Sequence, residues 1–111
     1  MLSLCGSFGD DGYTDEEAKL LHESRKILDD KSFEVAMTCV RVPVPVGHSA
    51  SVLLETASPI SPEAARRALE AFPGIVVMDD PKHNIVPTPA AAAGHDEVFV
   101  GRIRKDLTSD R

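Results

Sequence analysis

The chain has 111 residues, with 12 Lys and Arg against 18 Asp and Glu and a formal net charge of -6, so it is one acidic domain at most. The basic residues are scattered, and one Tyr with no Trp offers no stacking platform, which argues against nucleic acid and an anionic membrane surface as partners. Two cysteines without a C-x-x-C, no apolar run near the ~20 residues of a membrane helix, and no basic-then-apolar leader in MLSLCGSFGDDG fit a reducing, cytoplasmic compartment.

Residues 1–12 read as an irregular, loose tail, with glycines at 6, 9 and 12 at the wrong spacing for a dinucleotide fingerprint. A helix is expected to start at Thr14, because TDEE is a capping box with Thr14 as N-cap and Glu17 reaching back to it. Leu20, Leu21, Ile27 and Leu28 fall on one face, Glu16, Lys19, Glu23 and Lys26 on another, and DDKS ends the helix. FEVAMTCVRV then alternates as a strand does: Phe33, Val35, Met37, Cys39 and Arg41 point one way, Glu34, Ala36, Thr38, Val40 and Val42 the other. Pro43 and Pro45 cannot donate to a ladder, so VPVPVG is a stiff, extended connector. HSASVLLET reads as a second strand, with Ala50, Val52 and Leu54 on the side of His48.

SPEAARRALEAFPG predicts a second helix, with Ser61 as N-cap, Pro62 in the first position, a core stripe of Ala65, Ala68, Leu69 and Phe72, and Pro73-Gly74 as the stop. A short strand IVVM, a turn at DDPKHN, a proline-bounded loop IVPTPAAAAGHDE and a last strand EVFVGRIR complete the chain. Two helices among about four strands, without regular βαβ alternation, make an α+β layer.

Four residues stand out chemically. Arg41 ends an apolar strand face, where a guanidinium either snorkels into water or awaits a carboxylate; spacing alone favours the first. His48 opens an apolar face after Gly47, as a hydrogen-bonded structural residue or as an acid/base group near neutrality. Glu16 and Lys19, three apart on the first helical turn, form either a plain surface ion pair or a charged pair open to a ligand. His22, His83 and His95 lie at no metal-ligand spacing, so no metal site is expected. A reactive thiol needs a helix start or a neighbouring cation. Cys5 lies in the tail, and Cys39, in a strand expected to be buried, shares a face with Arg41, so a reactive thiol is conceivable there, with an inert core thiol the favoured reading.

The runs GYTDEEAKLLHESRKIL, TCVRVPVPVGHSASV, SPEAARRALEAFPGIVVMDDP and PTPAAAAGHDEVFVGRIRKD resemble, in order and spacing, the C-terminal half of the aspartate-semialdehyde dehydrogenases over roughly residues 12–106. N-acetyl-glutamyl-phosphate reductases share that chemistry and resemble this wording less. The resemblance implies a mixed or antiparallel sheet with helices packed on one face, as in the C-terminal domain of glyceraldehyde-3-phosphate-dehydrogenase-like enzymes. Residues 1–11 are then an unassigned tail, 12–106 a partial substrate and dimerisation domain, and 107–111 a truncated C-terminal tail.

By the same resemblance, Arg41 holds the substrate α-carboxylate, His48 is the catalytic acid/base, Glu16 meets the substrate amino group and Lys19 binds phosphate. The connector becomes a rigid spacer between binder and base. The family's reaction interconverts aspartyl phosphate and aspartate semialdehyde with NADP(H) through a cysteine acyl-enzyme, on the route to lysine, threonine and methionine. Its nucleotide-binding glycine loop and S-N-C nucleophile have no counterpart here, so the chain is expected to be a homodimerising fragment, inactive alone and without its own cofactor. A catalytically dead dimerisation or interaction module, a fragment of an N-acetyl-glutamyl-phosphate reductase-like enzyme, and an unrelated small-molecule sensor that keeps only the anion site are the alternatives.

Overall fold

The sequence signals for helix starts are realised. The computed structural model describes residues 1–109 and 111, which form two units, Met1–Pro43 and Val44–Arg111. In the first, helix α1 spans Asp15–Leu28. Thr14 Oγ1 accepts from Glu17 N at 3.3 Å, and Glu17 Oε2 accepts from Thr14 N at 2.8 Å, so two helix-start amides are satisfied reciprocally. Three acids in the first turn and Arg25 and Lys26 in the last suit the helix dipole. Asp29 closes the helix in the left-handed region (φ 50°), its N–H directed at the carbonyls of Arg25 and Lys26.

The expected loose tail is tied down. Leu2 and Arg41 exchange both backbone hydrogen bonds, at 2.9 and 2.7 Å, and Phe8 forms a bridge with Thr14. Ser7 is gripped twice by Asp15: its N–H donates to Asp15 Oδ1 at 2.9 Å, and its carbonyl accepts from Asp15 N at 3.0 Å. Gly6 makes this approach possible, because it has a φ of 83° and a Cβ there would run into the Asp15 carboxylate.

The strand expected over 33–42 is a correction. Its alternation survives in exposure, with Phe33, Val35, Met37 and Cys39 half-buried and Glu34, Ala36, Thr38 and Val40 exposed. Its ladder does not: apart from the Leu2–Arg41 bridge no backbone pairing forms there among the described residues. Alternation is a local property, whereas a strand also needs a neighbour.

The second unit repeats this outcome. HSASVLLET forms no ladder among the described residues, and Val52, Leu53 and Leu54 are 70, 77 and 72% exposed. Helix α2 spans Pro62–Glu70, with Ser61 Oγ accepting from Ala64 N at 3.1 Å. It packs against strand β1, Ile75–Val77. Its expected core stripe is only partly sheltered: Ala65 and Leu69 are half-buried, Ala68 is exposed, and Phe72 is 65% exposed.

A turn at Asp80–Ile85 follows, and the expected loop contains a helical turn, α3 (Pro89–Ala92), where Thr88 Oγ1 caps Ala91 N at 3.1 Å. Strand β2, Val98–Val100, runs parallel to β1, with Ile75 opposite Val98 and Val77 opposite Val100. The α+β class therefore holds, with one parallel pair in place of about four strands. β2 stops short of the expected EVFVGRIR because Arg102 turns left-handed (φ 59°). Gly101 is required just before it, since a Cβ would collide with the Met78 carbonyl and Pro87. Among the described residues no hydrophobic side chain is fully buried; the buried ones are Thr14 and Glu17.

Candidate functional site

Helix α1 places Glu16 and Lys19 on its first turn, where Lys19 Nζ lies 3.7 Å from Glu16 Oε2 and both side chains are about half exposed. A carboxylate and an ammonium thus stand side by side in water, held by helix geometry and weakly by each other. Arg41 lies in the same unit. Its backbone is pinned by Leu2, its side chain is exposed, and among the described residues no contact joins its guanidinium to an acid. His48 belongs to the second unit, exposed just after Gly47, whose φ of 87° supplies the turn out of the connector.

Glu17 does more than the capping box implies. While Oε2 caps Thr14, Oε1 accepts from Cys39 N at 2.8 Å, tying the start of α1 to the segment that carries Arg41. The Thr14 amide, then the Cys39 amide, hold this carboxyl below the usual carboxylate range, against a smaller opposing effect of its shelter. The sequence signalled half of this, since a cap motif shows the local partner and not the distant one.

Cys39 is the opposite case. Burial first, then the charges of Glu17, Cys5 and Glu16, push its thiol above its ordinary value, so it stays protonated and is poorly suited to be a nucleophile.

Asp79 in the second unit carries no motif and was missed. Its side chain is 4% exposed and collects three donors: Arg102 N at 2.9 Å on Oδ1, and Ile103 N at 3.2 Å and Arg66 Nη2 at 2.5 Å on Oδ2. Burial pushes this carboxyl up, but the two amides and the Arg66 guanidinium outweigh it and leave it below its ordinary value. The available signal was an acid continuing the apolar run IVVM, which a strand end tolerates only if donors meet it.

Among the described residues no cluster of His, Cys, Asp and Glu could hold a metal ion, and no helix is long and apolar enough to cross a membrane. The glycines at 6, 9 and 12 lead into α1 without the G-x-G-x-x-G spacing of a dinucleotide loop.

Comparisons with known proteins agree with this architecture. A family model described as "Semialdehyde dehydrogenase, dimerisation domain" matches residues 1–111. The aspartate-semialdehyde dehydrogenase of Aquifex aeolicus is 56% identical over 99 residues, which is 89% of this chain and 29% of that protein. The Bacillus subtilis enzyme is 46% identical over 101 residues, again 29% of its length. Among solved structures, aspartate semialdehyde dehydrogenase II from Vibrio cholerae superposes with a TM-score of 0.83 at 35% identity, over 98% of this chain and 32% of that one. A second structure of that enzyme, complexed with ASA, gives 0.82. The chain thus spans about a third of the length of these relatives. With its whole length matched, the chain belongs to the semialdehyde dehydrogenase dimerisation-domain family.

Proposed function

We propose that the chain supplies the substrate-binding and dimerising part of a phosphorylating, NADP-dependent aspartate-semialdehyde dehydrogenase, acting in the cytoplasm on the route to lysine, threonine and methionine. The observation that carries this reading is the 56% identity over 99 residues to an enzyme of that name. The site geometry supports it: Glu16 and Lys19 offer opposite charges side by side, and Arg41 presents an uncommitted guanidinium from a pinned backbone.

In this reading Arg41 binds the substrate α-carboxylate as a two-pronged donor, and Glu16 accepts from the amino group. Lys19 neutralises phosphate. His48 takes the proton from the catalytic thiol of the complete enzyme and returns it as the thiohemiacetal forms or collapses. The nucleotide and the thiol come from residues outside this chain, so alone it is inactive. The division into a tail at 1–11, a domain at 12–106 and a tail at 107–111 belongs to the same proposal.

The dimer is argued from exposure. Val52, Leu53 and Leu54 stand open in succession on a segment without a ladder among the described residues, and such apolar surface normally marks an interface. A two-fold homodimer covers it.

The test joins the chain to the nucleotide-binding part of a relative and follows phosphate-dependent NADPH formation from aspartate semialdehyde. The joined enzyme is expected to be active and the isolated chain inert; activity of the chain alone, or an inert joined enzyme that folds, overturns the reading. Sedimentation equilibrium of the chain should show dimers, and a compact monomer at high micromolar concentration removes the dimer.

A further inference from the structure

Glu17 is the one buried residue of α1, 7% exposed, and it is charged. A capping box asks it for one acceptor oxygen, which a glutamine would supply as well. Oε2 meets that need by accepting from Thr14 N at 2.8 Å, and Oε1 accepts from Cys39 N at 2.8 Å, 22 residues on. A sheltered carboxylate is tolerated only where donors meet its oxygens, so the second bond is a condition of this placement.

That second bond lies where the segment carrying Arg41 passes the helix. The segment is fastened to α1 at two points. Arg25 Nη2, in the last turn, donates to Phe33 O at 3.3 Å, and Glu17, in the first turn, takes the Cys39 amide. The segment thus runs back along α1 from its end to its start, and Arg41 follows two residues after the anchor on the turn that carries Glu16 and Lys19. The Leu2 bridge then holds the Arg41 backbone itself. Among the described residues these are the backbone hydrogen bonds of 33–41, so the Glu17 carboxylate is the tie between the charged turn and the arginine.

We propose that Glu17 is a positioning residue: its carboxylate sets the spacing between the Glu16–Lys19 pair and Arg41, and so between the amino- and phosphate-binding groups and the carboxylate-binding fork. The inference rests on the proposed function, which gives those three residues their ligands; Glu17 acts through Arg41. A two-pronged guanidinium recognises a carboxylate in one plane and at one distance, so loosening the backbone two residues before it weakens recognition without removing the charge. The effect is confined to the substrate's α-carboxylate. Phosphate is bound from the helix, and His48 stands in the second unit.

Two variants separate positioning from helix capping. Thr14→Ala deletes one bond of the capping box, and Glu17→Ala deletes the other together with the Cys39 bond. In the joined enzyme Glu17→Ala should raise KM for aspartate semialdehyde about tenfold, with kcat and the KM for phosphate within about twofold of the parent. Thr14→Ala should leave all three within about twofold, and Glu17→Ala should add less than about twofold to Arg41→Lys, because a residue acting through another does not add to its loss. An equal KM rise in Thr14→Ala, a fall in kcat with KM unmoved, or full additivity with Arg41→Lys overturns the inference. Amide exchange of the isolated chain reads the tie without activity: Glu17→Ala should speed Cys39 and Arg41 at least about tenfold and leave α1 beyond its first turn at parent rates. Should Glu17→Ala not fold, Glu17→Gln, with one acceptor oxygen for two amides, is held to the same pattern at about threefold. An inert joined enzyme overturns the proposed function and the inference with it, whereas an active one in which Arg41 exchange is unmoved overturns the inference alone.

Discussion

The two units are each organised by one sheltered carboxylate, but the carboxylates reach their partners differently. Glu17 is bound first by its own helix start, through Thr14, and adds a single distant amide, Cys39. Asp79 is bound wholly by distant groups, Arg66 from α2 and the amides of Arg102 and Ile103 beyond β2. The first arrangement survives partial loosening, since the cap is local. The second exists only once α2, β1 and the end of β2 have come together, so it reports on the whole unit. Among the described residues neither unit buries a hydrophobic side chain completely, so these polar joints carry more of the organisation than they would beside a closed apolar core.

The largest expected effect separates the units by function. In the joined enzyme His48→Asn, in the second unit, should lower kcat by about 10²–10⁴-fold with little change in KM, the usual contribution of acid–base catalysis. Steady-state kinetics check it; a variant that merely unfolds would return His48 to a structural role.

Asp79→Asn should come next, destabilising the second unit by about 2–3 kcal/mol through loss of charged hydrogen bonds. The reading is a faster amide exchange at Arg102 and Ile103, with the amide of Cys39 in the first unit unaffected. Equal loss of protection in both units would mean that they unfold as one.

Arg41→Lys should raise KM for aspartate semialdehyde by about 10- to 150-fold, from about 1.5–3 kcal/mol of lost two-pronged recognition, while kcat stays close to that of the parent. A silent Arg41→Lys would leave the guanidinium a solvated strand end.

The smallest effect concerns pH. Glu17 titrates below its unfolded value of 4.5, so its contribution is fully present above that value and is lost as pH falls through the lower folded one. The same sign holds for Asp79 relative to 3.8. Exchange of the Cys39 amide should therefore accelerate on acidification below about pH 4.5, and Glu17→Gln should flatten that dependence. An acid response that Glu17→Gln leaves intact would assign it elsewhere.

Helix starts, stops and face alternation were legible because they depend on neighbours a few residues away. Thr14 with Glu17, Ser61 with Pro62, and the half-buried set Phe33, Val35, Met37 and Cys39 all follow from local chemistry. Glu16, Lys19, Arg41 and His48 were nameable only through ordered resemblance, since each alone fits a plain surface role. Tertiary structure alone decided which alternating segments became strands: among the described residues 33–42 pairs only at the Leu2–Arg41 bridge and 48–56 not at all, while Ile75–Val77 took Val98–Val100 in parallel. It alone decided that Glu17 grips Cys39, that Asp79 gathers Arg66 with two amides, and that the tail bridges to Arg41. The reason is physical: a hydrogen bond across 13 or more residues costs loop-closure entropy that only the assembled surroundings can offset, and no local pattern encodes that sum.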